Sequence, residues 1–151
     1  MSENRVRLNV GGTVFETYVS TLTRNVDSYF SVAFSDRWVS DSVELFIDRD
    51  PTHFRFVLNF LRNYDEKNKK SVPLPDELCA LEELREEAEF YSIKELEKIV
   101  IEKLATLKRE HDLLLQSLVQ IKTQMDNIMG SLDEIYFNLF QKSEGNKLPR
   151  R

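Results

Sequence analysis

The sequence has few of the residues that build disulfides, metal sites and catalytic sites: one cysteine and two histidines among 151 residues. A single cysteine, Cys79, excludes an internal disulfide, and no set of cysteines and histidines has the two-by-two spacing of a structural zinc site. Neither His53 nor His111 lies near Cys79 in the sequence, so no nucleophile is paired with a base. We therefore predict a protein that is not an enzyme and has no metal or other cofactor.

Long apolar runs and an excess of positive charge are also absent. No window approaches the roughly 18 apolar residues that span a bilayer, and residues 1–5 lack the apolar core of a signal peptide. The formal net charge is −5, whereas nucleic acids and anionic membranes attract concentrated positive surfaces. We expect a soluble, cytoplasmic protein with neither nucleic acid nor membrane as a partner.

Glycine is scarce as well, with four in the chain, and two of the four are adjacent. Gly11-Gly12 separates two segments of β type, residues 5–10 and 13–19, in the first of which apolar and polar residues alternate. Paired glycines adopt the positive φ values that a tight hairpin turn requires, so these segments are predicted to form a β-hairpin. Between residues 20 and 38, apolar clusters favour one or two short helices.

The stretch from 43 to 62 is predicted to form the centre of the fold. An apolar β-type run ends at Ile47, and from Phe54 onward apolar residues recur at helical spacing on more than one side. Asp50-Pro51 between them is a helix start, because aspartate accepts bonds from the amides of a first turn and proline has no amide to leave unpaired there. This stretch therefore contains a strand, a charged corner and a helix.

Two further helices are predicted after an exposed loop at 64–71. Asp76 caps the first, whose apolar face includes Leu81, Leu84 and Ala88, with its glutamates, Glu87 included, largely on the other side. Ser92-Ile93-Lys94-Glu95 has the spacing of a capping box and starts the second.

The last helix carries a heptad pattern. From residue 100 the apolar positions alternate in steps of four and three for more than five repeats, a period that favours a coiled coil over a helix packed on its own domain. At 1.5 Å per residue, residues 92–142 would extend roughly 75 Å, so we expect the helix to project from the domain. The predicted seam consists of Leu104, Leu107, His111, Leu114, Leu118, Ile121, Met125, Ile128, Leu132, Ile135 and Leu139.

The residue types in the seam favour more than two strands. Leucine predominates at the a positions and isoleucine at the d positions, a combination that shifts the preference from dimers to higher oligomers. His111, at an a position, is either a tolerated polar defect or a proton-sensitive register marker.

Several motifs resemble the potassium-channel tetramerisation branch of the BTB/POZ domains. The resemblance covers residues 5 to about 100 and rests on residues 7–15 (Arg-Leu-Asn-Val-Gly-Gly-Thr-Val-Phe), 20–23, 46–51 (Phe-Ile-Asp-Arg-Asp-Pro) with the helix that follows, and 84–91. It implies an α/β fold that assembles side by side into a ring of four or five subunits. Residues 5–98 are accordingly predicted to form this BTB/POZ domain, residues 99–142 a coiled coil and residues 143–151 a flexible tail.

The resemblance also suggests interfaces. Asp48, Arg49 and Asp50 are predicted to lie at subunit contacts, with the alternative that they only tie the corner within one subunit. Some members of the branch bind zinc between subunits, but Leu74 stands where they have a histidine, five residues before Cys79.

Two functions fit these features. The first is an oligomeric adaptor that binds a cullin scaffold of a ubiquitin ligase and a client protein, with Trp38, Val39 and Tyr64 as candidate partner-binding residues. The second is a structural oligomerisation module that co-assembles with potassium-channel tetramerisation domains. Nothing in the sequence marks a channel partner, which favours the adaptor.

Overall fold

The protein has an α/β fold followed by a long helix, as predicted. The computed structural model describes residues 4–25, 27–35, 44–63, 65 and 72–145, with side chains to residue 143. Its elements, in chain order, are β1 (Arg5–Val10), β2 (Thr13–Tyr18), α1 (Val19–Leu22), α2 (Tyr29–Ala33), β3 (Glu44–Ile47), α3 (Phe54–Asn63), α4 (Leu78–Phe90) and α5 (Lys94–Gly145).

The chain divides into two compact units, Met1–Leu107 and Lys108–Arg151. The core of the first unit continues into α5, where Val100 is fully buried and Leu104 is 6% exposed. The predicted domain boundary at residue 98 therefore falls inside this unit. None of the helices in the described ranges combines the length and the apolar composition that crossing a membrane requires.

The three strands form a mixed sheet in the order β2-β1-β3. β1 pairs antiparallel with β2 and parallel with β3. Val6, Leu8 and Val10 alternate toward the core, and the other face of the sheet is exposed. The exposed or partly exposed residues of that outer face are Arg5, Arg7 and Asn9 of β1, Val14, Glu16 and Tyr18 of β2, and Glu44 and Phe46 of β3.

The predicted hairpin turn packs against the corner that follows β3. Gly11 and Gly12 have φ values of +53° and +93°, the signs that a type I′ turn requires at both central positions. The Gly11 amide donates to the Ile47 carbonyl at 3.0 Å, and a Cβ at Gly11 would lie 2.4 Å from the Arg49 carbonyl oxygen. Only glycine therefore fits between the hairpin and the corner.

An aromatic cluster fills the space beneath the sheet. Phe30, Phe54 and Tyr91 are each fully buried, and the rings of Phe30 and Tyr91 stack with their centroids 5.0 Å apart. Phe54, the first residue of α3, contacts both Tyr91 and Phe15 of β2, with centroids 5.5 Å and 4.8 Å apart. The Tyr29 amide also donates to the Tyr91 carbonyl at 2.9 Å. α2, α3 and the end of α4 therefore share one core.

Two predicted helix caps are wrong. The residue that precedes α4 is Glu77, without a side-chain cap, and the Asp76 carboxylate instead accepts a hydrogen bond from Lys103 at 2.7 Å. Ser92 has a φ of +55°, whereas a capping residue at a helix start has extended backbone. The Ser92 and Ile93 amides donate to the carbonyls of Glu89 and Ala88, which is a Schellman motif that ends α4.

We expect Gly11→Ala to destabilise the domain more than Gly12→Ala does. Both positions have positive φ, but an added Cβ meets backbone only at Gly11, whereas Gly12 has no atom within 4 Å. The Gly11 variant should lose at least about 2 kcal/mol of unfolding free energy, since strain in the left-handed region adds to the clash. Urea unfolding of both variants measures the difference. Equal losses would show that the contact with the corner does not constrain residue 11.

Ser92→Gly should stabilise the domain by about 1 kcal/mol, because glycine adopts the left-handed conformation at a helix C-terminus without the steric cost of a Cβ. Ser92→Ala is the matched control: it also removes the hydroxyl but keeps the Cβ, so its unfolding free energy should stay close to that of the wild type. Thermal unfolding of the two variants measures this. A gain in the alanine variant as large as that in the glycine variant would contradict the explanation.

Candidate functional site

The corner between β3 and α3 is held to α4 by an ion pair. The Arg49 guanidinium contacts the Glu87 carboxylate through two nitrogens, Nη2 to Oε1 and Nε to Oε2, the latter at 3.4 Å. Glu87 is only 7% exposed, and its hydrogen bond raises the pKa of Arg49 above the ordinary value. The guanidinium carbon also lies 4.5 Å from the centroid of the Phe90 ring, within cation–π range. This two-point contact fixes the corner in one orientation.

Glu87 is the site residue that sequence reasoning missed. Its helical position places it beside the polar glutamates of α4, and the periodicity assigned it to that exposed side. Its partner lies 38 residues earlier, so no local pattern could have shown that this one glutamate is buried against an arginine. A carboxylate at the edge of an apolar helix face was the sole available signal.

The start of α3 is held by two further polar contacts. The Asp50 carboxylate accepts hydrogen bonds from the Thr52 side chain and, at 2.7 Å, from the Thr52 amide, and these bonds lower the pKa of Asp50. His53 Nε2 lies 2.6 Å from a carboxylate oxygen of Glu83. Its Nδ1 is buried and has no hydrogen-bond partner within the described part of the chain.

The three corner residues predicted at subunit contacts thus differ in their surroundings. Arg49 and Asp50 make contacts within the chain. Such contacts are what the alternative, in which these residues only tie the corner within one subunit, requires. Asp48 is exposed and has no ion-pair partner among the residues that the structure describes. A residue that makes a contact within its own subunit can also lie at a subunit interface. The assignment of the corner to such an interface therefore stays a prediction.

A second charged region surrounds a cavity of about 490 Å³ beside β2. The guanidinium of Arg62, at the end of α3, donates to the Glu16 carbonyl at 2.7 Å and is thereby held at the edge of the sheet. The Glu16 carboxylate pairs with Arg7 at 3.4 Å. The cavity is lined by Arg5, Glu16, Thr17, Tyr18, Thr21 and Arg62. Sequence reasoning did not find it, because its arginines are 57 positions apart and belong to no motif.

The predicted seam residues fall into two groups. Leu104 and Leu107 belong to the core of the first unit or pack against it. In the second unit, the apolar seam residues from Leu114 to Leu139 are 53% to 65% exposed in the single chain, and His111 is exposed as well. An apolar stripe of this length is what a coiled coil buries. The coiled coil itself stays a prediction.

The candidate partner-binding residues Trp38, Val39 and Tyr64 lie outside the described residues. Among the described residues that precede Trp38 and Val39, Val32 on α2 has an exposed apolar side chain, at 72%.

The cysteine is poorly suited to nucleophilic chemistry. The Cys79 thiol is exposed and donates to a Glu83 carboxylate oxygen at 3.6 Å, and this contact raises the pKa of the thiol. A raised pKa lowers the thiolate fraction at neutral pH. Within the described ranges, no three histidine, cysteine, aspartate or glutamate side chains form a group that could hold a metal ion.

Residues 6–104 match the family described as BTB/POZ domain. The chain is 38% identical over 114 residues to the Danio rerio protein "BTB/POZ domain-containing adapter for CUL3-mediated RhoA degradation protein 1", an alignment that covers 74% of this chain and 32% of that protein. It is 36% identical over 107 residues to BTB/POZ domain-containing protein KCTD21 of Homo sapiens, covering 69% and 39%, respectively. It is 42% identical over 103 residues to BTB/POZ domain-containing protein KCTD17 of Homo sapiens, covering 66% and 31%. The chain thus spans roughly a third of the length of these relatives.

Arg49→Met should destabilise the domain by about 2 kcal/mol, because it leaves the nearly buried Glu87 carboxylate without its partner. The expected loss is smaller than for a fully buried ion pair, since the Arg49 side chain is 31% exposed. Arg85→Met is the matched control, since it breaks the exposed pair with Glu89 and should cost less than about 1 kcal/mol. The double variant Arg49→Met/Glu87→Leu should recover part of the loss. Chemical unfolding measures all three. A loss for Arg49→Met no larger than for Arg85→Met would contradict the role of the ion pair.

Proposed function

Because the chain belongs to the potassium-channel tetramerisation-type branch of the BTB/POZ domain family, we propose that it is a homo-oligomeric adaptor that binds a cullin scaffold and a client protein. The zebrafish relative is, by its name, an adapter for CUL3-mediated degradation of RhoA. That name supports the same class of role for this chain and assigns it no client.

The exposed seam of α5 is the observation that carries the self-assembly part of the proposal. An apolar stripe that stays more than half exposed along several heptads costs solubility unless other copies cover it. Leucine at a and isoleucine at d favour more than two strands. A ring of four or five domains with rotational symmetry would bring the helices together in parallel and in register. Ring and coiled coil then stabilise each other.

The cullin-binding part of the proposal depends on the segment between α2 and β3 and on the residue after α3. Trp38, Val39 and Tyr64 are the residues that we assign to this contact, because large apolar side chains are typical of protein-binding surfaces. Several copies in one ring present several copies of the contact, so a weak individual site gains avidity.

The test combines native mass with cullin binding. We expect the full chain to have a native mass of four or five times its 17.8 kDa and to bind purified CUL3. Trp38→Ala/Val39→Ser should keep the native mass and weaken CUL3 binding at least about tenfold, as the loss of a central aromatic contact does. Phe140→Ala is the matched control, because it removes an exposed aromatic side chain at an outer heptad position. Light scattering and calorimetric titration measure the two quantities.

The outcomes separate the parts of the proposal. A monomeric full chain would overturn self-assembly. A ring that does not bind CUL3 would overturn the cullin adaptor and favour the oligomerisation module that co-assembles with channel tetramerisation domains. Binding that is unaffected by the Trp38 and Val39 substitutions would remove these residues from the contact.

A further inference from the structure

A ring built by rotation requires a head-to-tail interface, in which two different patches of the same chain fit each other. The domain carries two patches of opposite charge, one around the cavity beside β2 and one at the corner after β3. We propose that the basic cavity, defined by Arg5 and Arg62, receives the acidic corner, defined by Asp48 and Asp50, of the next copy. This inference rests on the proposed self-assembly and assigns the two surfaces that meet.

The corner is acidic because its single arginine is neutralised within the chain. Arg49 contacts Glu87 of α4, so the positive charge between the two aspartates is already compensated. Asp48 is exposed and unpaired within the described part of the chain. Asp50 is exposed, and the hydrogen bonds described for its carboxylate come from the side chain and the amide of Thr52, so it has no cationic partner among the described residues. Two carboxylates therefore point to solvent from a rigid corner.

The cavity beside β2 offers the complementary charge. Arg62 is held in place by its bond to the Glu16 carbonyl, and one carbonyl uses only part of the hydrogen-bonding capacity of a guanidinium, which has five N–H donors. Arg5 is exposed and has no ion-pair partner among the described residues. The carboxylate in the lining, that of Glu16, is compensated by Arg7. Two guanidiniums that line one cavity are suited to carboxylates, because a guanidinium can donate two parallel hydrogen bonds to a carboxylate.

The sheet topology places the two patches at diagonally opposite ends. Arg5 begins β1 opposite Tyr18 of β2, whereas Asp48 follows Ile47, which pairs with Val10 at the other end of β1. β2 and β3 also lie on opposite sides of β1. A strand of six residues separates the patches by roughly 15–20 Å, so they cannot meet within one subunit. Different and separated patches produce a head-to-tail ring rather than a two-fold dimer.

Charge reversal in the full chain tests the contact. One variant, Arg5→Glu/Arg62→Glu, makes the cavity acidic, and the other, Asp48→Lys/Asp50→Lys, makes the corner basic. Each variant alone faces like charges at every contact, and we expect it to dissociate at a concentration at least about tenfold higher than the wild type. Mixed one to one, the variants should recover wild-type assembly, because every mixed contact again joins opposite charges. Arg55→Glu/Lys98→Glu, which changes the net charge as Arg5→Glu/Arg62→Glu does but at other exposed positions, should assemble as the wild type does.

The mixture also reports ring geometry. An alternating ring closes only with an even number of subunits, so native mass spectrometry should show two copies of each variant in a four-subunit complex more often than the roughly 38% that random mixing gives. A ring of five necessarily retains one mismatched contact, and its recovery should be incomplete. Single variants that assemble as tightly as the wild type, or a mixture no tighter than either variant, would overturn the contact.

A second measurement covers the case in which the coiled coil alone holds the copies together. A full chain with Cys79→Ser, Arg5→Cys and Asp48→Cys should form covalent ladders up to the closed ring with a short bismaleimide linker. The same chain with Arg55→Cys in place of Arg5→Cys should not. Equal cross-linking of the two chains would overturn the proposal. A monomeric wild type would instead refute the proposed self-assembly, which keeps the two failures distinct.

Discussion

An arginine from the β3–α3 corner and a nearly buried glutamate from α4 form the contact on which much of the domain depends. The corner is also where Gly11 of the hairpin turn packs without room for a Cβ, so the ion pair indirectly positions the hairpin. Breaking such a pair is costly because a buried carboxylate without a partner loses its hydration and regains nothing. The hairpin, the corner and α4 are thereby fixed relative to one another.

Beneath that polar contact lies the aromatic cluster of Phe30, Phe54 and Tyr91. Its rings come from α2, the start of α3 and the end of α4, which are remote in sequence. The Tyr91 hydroxyl is buried and has no hydrogen-bond partner in the described part of the chain, and burial raises its pKa. A buried hydroxyl without a partner costs free energy, while the ring that carries it packs against Phe30 and Phe54.

The neutralised arginine changes the surface charge of the corner. A corner of sequence Asp-Arg-Asp looks nearly balanced in charge, but once Arg49 is paired inside the subunit its surface is acidic. The opposite end of the sheet is basic for a related reason, since Glu16 is paired with Arg7 and the guanidiniums of Arg5 and Arg62 line the cavity there. Ion pairs within the subunit thus determine which charges are left exposed, and the proposed assembly would use those.

The sequence by itself determined the features that depend on neighbouring residues. Strand alternation, the two-glycine hairpin and the extent of the last helix each follow from periods of two or three to four residues or from local backbone preferences. The helix predicted to start at Asp50-Pro51 begins at Phe54 instead, after a turn that Asp50 holds through Thr52. The helix caps that failed, Asp76 and Ser92, were local as well, but a competing contact with Lys103 and a Schellman turn replaced them. Only the tertiary structure decided that Glu87 is buried and that Arg5 meets Arg62 at one cavity, because pairing between distant charges depends on how the elements pack, and no local pattern encodes it.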